Sequence, residues 1–100
     1  MTPARLSSEA VEELFEAAVW YRDQQPGLEL EFLAEVDRIS PLLETSPASF
    51  PRVLGLPADL EIRRALLPRF PYALVFMQTA REVRVLAVAH LEWRPGLATG

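Results

Sequence analysis

Apolar residues recur at two different periods along this chain, and the change of period divides it. Val11, Leu14, Phe15, Ala18 and Tyr21 repeat every three or four residues, the spacing that lines one face of an α-helix. Ser7 and Ser8 supply a hydroxyl cap before them, and Glu9, Glu12 and Glu13 place negative charge at the positive end of the helix dipole. The pattern predicts a helix ending near Gln24, stopped by Pro26-Gly27. Phe32, Val36, Ile39 and Leu43, with Leu33 beside them, predict a second helix. Pro41 should kink it or shorten its last turn, because proline lacks the N–H that would bond back to Asp37; Pro47 marks its outer limit.

Residues 46–59 contain Pro47, Pro51, Gly55 and Pro57 and read as an ordered crossing loop. Beyond them Glu61–Leu67, Tyr72–Gln78 and Val83–His90 are short runs rich in Ile, Leu, Val, Phe and Tyr. The gaps between them are short enough for antiparallel hairpins. Thr2–Leu6 is a candidate edge strand. The prediction is a single α+β domain over 1–100: a helical hairpin packed on a small antiparallel sheet, in the order (β)ααβββ.

Composition narrows the chemistry. One hundred residues, half of them apolar, suit one core. No run reaches the roughly 20 apolar residues of a membrane helix, since Val83–Leu91 is broken by Arg84 and His90, and residues 1–8 lack a signal-like apolar stretch. A soluble, cytoplasmic protein is expected. Without cysteine there is no disulfide or thiol nucleophile, and with one histidine a metal site would have to be mostly carboxylate, so neither metal nor cofactor is expected.

Charge is divided unevenly. Residues 1–60 hold eleven acids and four arginines, a balance of −7, while residues 61–100 hold three acids and six arginines, a balance of +3. The net −4 argues against general nucleic-acid coating but leaves room for a local basic site on the second half. All ten cations are arginine, planar forks suited to phosphate, carboxylate and base edges. The acids of the hairpin read as a solvated face or as complements to a basic partner.

Several residues carry the resemblance of this chain to a known family. Trp20-Tyr21 ahead of Pro26-Gly27-Leu28, then Phe32-Leu33 with Glu35-Val36, resembles the helical hairpin of ParE-like toxins in the RelE/ParE superfamily. Glu61 to Leu67 (EIRRALL), Arg69 to Tyr72 (RFPY) and Val85 to His90 (VLAVAH) are similar to that family's sheet, so the likeness spans about residues 5–95. It implies the toxin of a type II toxin–antitoxin pair, held inactive by a cognate antitoxin. The family contains ribosome-dependent cleavage of messenger RNA and poisoning of DNA gyrase, and the wording here is nearer the second.

RNA cleavage needs a base, an acid and cations for the phosphate. The candidates are His90, Arg63, Arg64, Arg84, Arg94 and the Glu92 carboxylate. His90, the one side chain whose ordinary pKa lies near neutrality, would carry acid–base work, or else cap a strand end. By strand alternation it shares a face with Arg84, Leu86 and Val88. Arg63 and Arg64 leave opposite faces of their strand: one is expected in a structural ion pair, for which the hairpin offers acids, and the other on the open face as a target contact. Trp20, about 140° from the centre of the apolar stripe, and Tyr21 beside it are candidate partner contacts. Trp93 and Arg94 lie in a tail where the family often has a basic cluster; this tail has one arginine and one acid. With no second acid–base group in view, inhibitory protein binding is the leading expectation. An endoribonuclease and an inactive binding module are the alternatives.

Overall fold

The structure, a computed structural model, describes residues 4–92, the side chain of residue 58 excepted. Strand β1 (Ala4–Leu6) leads into helix α1 (Ser8–Gln24) and helix α2 (Leu28–Thr45). Two short 3-10 turns, Pro47–Ser49 and Ala58–Leu60, precede strands β2 (Ile62–Leu66), β3 (Tyr72–Gln78) and β4 (Val83–His90). No helix among the described residues is long and apolar enough to cross a membrane.

Ser7 caps α1 as its hydroxyl predicted, accepting the Ala10 N–H at 3.1 Å. The turn between the helices depends on Gly27, whose φ of 98° lies in the left-handed region that side chains disfavour. Helix α2 does not stop at Pro41 but continues one turn to Thr45. Pro41 and Asp37 both face solvent, so water can satisfy the carbonyl that proline leaves unbonded.

The buried stripe of α1 differs from the expected one. Ala10, Ala17 and Tyr21 are buried with Leu14 packed beside them, whereas Val11 is 51% and Phe15 69% exposed. Both sets repeat at helical spacing and differ by about 65° of rotation, less than one residue step. The alanines win because they let the helix approach the sheet closely, a property that a count of large apolar residues cannot register. The stripe predicted for α2 is found: Phe32, Val36, Ile39 and Leu43 are buried.

The sheet has the order β1-β4-β3-β2. Strands β2, β3 and β4 are antiparallel as expected, but β1 runs parallel to β4, pairing Ala4 with Val83 and Leu6 with Val85, so the sheet is mixed. The hairpin carries the chain from one edge of the sheet to the other, which is how the first and second strands come to lie on opposite edges. The crossing loop also adds to β2: Val53 N–H donates to Ile62 O at 2.9 Å and Arg64 N–H to Pro51 O at 3.0 Å.

One irregularity controls the rest. Val75 pairs with Ala87 but Phe76 pairs with Val85, which leaves Leu86 as an extra residue in β4. Side-chain alternation in β4 therefore inverts across Leu86. Arg84 points to the open face, while Val88 and His90 pair with Leu74 and Tyr72 on the helix-covered face.

The core lies between the hairpin and that covered face. Phe32, Phe76, Leu43, Leu74, Val83 and Val85 are its largest fully buried apolar side chains. At one end Tyr21, Phe32, Phe70 and Tyr72 form an aromatic cluster with ring centroids 5.0–6.2 Å apart.

Candidate functional site

Two surfaces follow from this architecture. The first is a groove of about 800 Å³ between α1 and β4. Glu13, Glu16, Ala17, Trp20 and Tyr21 form its helical wall, Ala87 to His90 its strand wall, and Pro71 and Tyr72 its end.

The groove exists because β1 is short. It pairs with β4 only as far as Val85, and then the chain turns into α1 at Ser7, whose N–H donates to Val85 O at 2.9 Å and whose hydroxyl donates to Leu86 O at 3.1 Å. From Ala87 onward β4 has no strand neighbour on that side among the described residues. The Glu13 carboxylate reaches across and accepts the Val88 N–H at 2.9 Å.

His90 ends β4 at the groove. Its ring sits edge-on to Tyr72, with centroids 5.1 Å apart, and its Nδ1 accepts the Glu92 N–H at 3.1 Å. In the neutral ring the proton is then on Nε2, an assignment made from the hydrogen bond. The bulge corrects the expected neighbourhood: His90 does not share a face with Arg84, and the groove is lined by no arginine among the described residues.

Trp20 is 55% exposed and stands at the rim, edge-on to Tyr21 at 5.1 Å. It lies about 90° from the centre of the observed buried stripe, on the β4 side. Tyr21 was expected to offer itself to a partner beside Trp20. It is instead 7% exposed and built into the aromatic cluster, contributing wall rather than projection. Burial, and secondarily the nearby Tyr72, push the Tyr21 hydroxyl above its ordinary value of 10.0; burial also raises that of Tyr72.

The second surface is the open face of the sheet. Register and burial place Ile62, Arg64, Leu66, Val75, Met77, Arg84, Ala87 and Ala89 there. Arg5 stands opposite Arg84 across the β1–β4 pair. Glu82 lies between these two cations, 3.8 Å from Arg5 Nη1 and 3.3 Å from Arg84 Nε.

The two adjacent arginines separate cleanly. Arg63 alternates with buried Ala65 and Leu67; its Nη1 donates to Phe50 O at 2.6 Å and its Nη2 to Glu61 Oε2 at 3.3 Å. Its side chain is 16% exposed, so it serves the fold rather than a target. Its partners are the crossing loop and Glu61, not an acid of the hairpin as expected. That link to the hairpin is made by Arg69, whose Nη2 meets Glu31 Oε1 at 2.5 Å. Arg64 is the exposed member on the open face. Trp93 and Arg94 lie outside the described residues.

The residues proposed for RNA cleavage are therefore not brought together. His90 is on one side of the sheet, Arg64 and Arg84 are on the other, and Arg63 is engaged in structure. Sequence reading missed Glu13 because helix periodicity gives a carboxylate no address on a distant strand. It missed the bulge because Leu86 to Ala89 is uniformly apolar and leaves the alternation unmarked.

With the geometry in hand, the fold can be compared with known proteins. No family model and no curated protein matches the sequence. A solved structure described as the chromosomal ParDE TA system from P. aeruginosa contains a similar chain, with a TM-score of 0.77 and 20% identity. The match covers 92% of this chain and 98% of that one. At this identity the likeness establishes the fold, and it is the fold that the resemblance implied.

Proposed function

We propose that the chain is the ParE-like toxin of a type II toxin–antitoxin pair, acting in the cytoplasm and neutralised by a cognate antitoxin. The observation carrying this reading is the near-complete match in fold to a chain of a ParDE system, over almost the full length of both. Toxic action is by binding a cellular protein such as DNA gyrase through the open sheet face. Arg64 and Arg84 there frame the apolar side chains Val75 and Met77, a mixture that suits protein contact. A catalytic alternative would need His90 to work with cations from the far side of the sheet.

The test is inducible expression with and without the neighbouring reading frame. Growth arrest relieved by the neighbour, with DNA-damage signalling and loss of gyrase supercoiling by the purified protein, is the expected result. Arg64→Glu should abolish arrest while leaving the protein folded. Messenger RNA cleaved in translating ribosomes, and protected by His90→Ala, would replace this reading with a ribosome-dependent endoribonuclease. Unimpaired growth would leave an inactive binding module.

A further inference from the structure

Two arginines share one carboxylate on the open side of the sheet. Arg5 and Arg84 are paired positions of β1 and β4, so their side chains leave the same face with backbones about 5 Å apart. Like charges so placed repel, and Glu82 is the acid that offsets them.

Glu82 is fixed by the turn that carries it. Its carbonyl accepts the Thr79 N–H at 2.8 Å and the Thr79 hydroxyl at 3.0 Å, and its own N–H donates to that hydroxyl oxygen at 3.1 Å. The carboxylate is thereby set between the two guanidinium groups, Oε1 towards Arg5 Nη1 at 3.8 Å and Oε2 towards Arg84 Nε at 3.3 Å. Charge-assisted bonds between such groups close to about 2.7–2.9 Å, so neither fork is saturated. Arg84 gives Glu82 only its Nε edge, and among the described residues neither guanidinium makes a further hydrogen bond. The side chains are 74% exposed at Arg5 and 56% at Arg84, against 18% at Glu82, which leaves the unused donors to solvent.

The rest of the face indicates which anion suits them. Arg64 stands two strand spacings across and two residue rises along from Arg84, about 12 Å away, with half-buried Val75 and Met77 on the strand between. Cations separated by apolar side chains do not make the continuous basic track that a nucleic-acid backbone follows, and a net charge of −4 repels a polyanion at long range. Separate carboxylates with apolar residues between them match the pattern.

We infer that Arg5 and Arg84 form a carboxylate clamp, oriented from beneath by Glu82, which takes an acidic side chain of the protein bound on the open face, while Arg64 takes a second. In naming what the target presents, the inference rests on the toxin reading; the clamp itself rests on the geometry.

The test uses purified full-length protein and a fluorescein-labelled heptapeptide of glutamate, leucine and glycine with two glutamates four positions apart, about 13 Å when extended. Fluorescence polarisation should show binding that falls about tenfold or more when both glutamates become glutamine, the loss expected for two charge-assisted contacts. Arg5→Gln and Arg84→Gln should each weaken binding several-fold, and together by less than the product, because they hold one carboxylate. Glu82→Gln keeps an acceptor but removes the competing charge, so it should tighten binding. Arg22→Gln, the same change of charge in the last turn of α1, should do nothing. Circular dichroism confirms the fold of each variant. Equal binding of the glutamine peptide, losses at Arg5 and Arg84 that multiply, an equal loss at Arg22, or weaker binding by Glu82→Gln overturns the inference. So does tighter binding of a labelled oligothymidylate, which would make a phosphodiester the occupant. Failure here removes the clamp and leaves the toxin reading standing, whereas unimpaired growth on expression removes the toxin reading and leaves the clamp.

Discussion

Glu35 is the one buried charged residue among those described, 1% exposed on the flank of α2. Among the described residues neither carboxylate oxygen has a hydrogen-bond partner, and its compensation is the ion pair with Arg38 one turn along. The two observations describe one arrangement: a close charge contact whose alignment does not make a hydrogen bond. Arg38→Ala should therefore leave an uncompensated buried carboxylate. Breaking a fully buried pair from one side costs about 3–5 kcal/mol, but the Arg38 side chain is 70% exposed and water reaches its end of the pair. The expected loss is accordingly about 2–3 kcal/mol. In a domain of this size that lowers the melting temperature by roughly 8–24 °C. Glu35→Leu removes the charge together with its desolvation cost and should be neutral or stabilising by about 1–2 kcal/mol. The double variant should resemble Glu35→Leu, because Arg38 then has no buried partner to satisfy. Urea unfolding at pH 7 followed by far-ultraviolet circular dichroism measures all three. If Arg38→Ala stays within about 0.5 kcal/mol of the parent, or Glu35→Leu is the more damaging, the argument from uncompensated burial is wrong.

Other consequences follow from single contacts. Phe32→Ala empties the centre of the aromatic cluster and should cost about 3–5 kcal/mol in urea unfolding, whereas Phe15→Ser, on the exposed side of α1, should stay within about 0.5 kcal/mol. Ser7→Ala removes both the α1 cap and the hydroxyl bond to Leu86 O, with an expected cost of about 1–2 kcal/mol in the same assay. Tyr21 and Tyr72 have folded pKa values raised above the ordinary 10.0, so the unfolded chain releases protons first. Their contribution is complete below pH 10 and is lost as pH rises above it; Tyr21→Phe should flatten that alkaline fall in melting temperature.

The sequence disclosed most where a long pattern had many chances to repeat. Helix α2, the three antiparallel strands and the Ser7 cap follow from periodicity and end chemistry, and β1 was visible as a candidate edge. What it concealed was set by small differences. Alanine carries little apolar signal, so the face of α1 was misjudged by less than one residue step. Strand alternation assumes an unbroken ladder, so one unpaired Leu86 was enough to give His90 the wrong neighbours. The separation of Arg63 from Arg64 was foreseeable, but which faced inward depended on Phe50 O, a carbonyl thirteen residues away with no sequence signature.

Leu86 gives β4 an unusual economy. A regular strand belongs to one pattern of sides along its whole length, so a segment of eight residues would offer each surface the same kind of positions throughout. The inserted residue divides β4 into two short strands sharing one backbone, one half lending a cation to the exposed side and the other lending a histidine to the groove. Substitutions at Arg84 and at His90 therefore alter opposite faces of the sheet. Deleting Leu86 would close the ladder between Val85 and Ala87 and leave Arg84, Val88 and His90 on their present faces. The added residue thus leaves Arg84 on the open face and His90 at the groove, although the two stand an even number of positions apart in one strand.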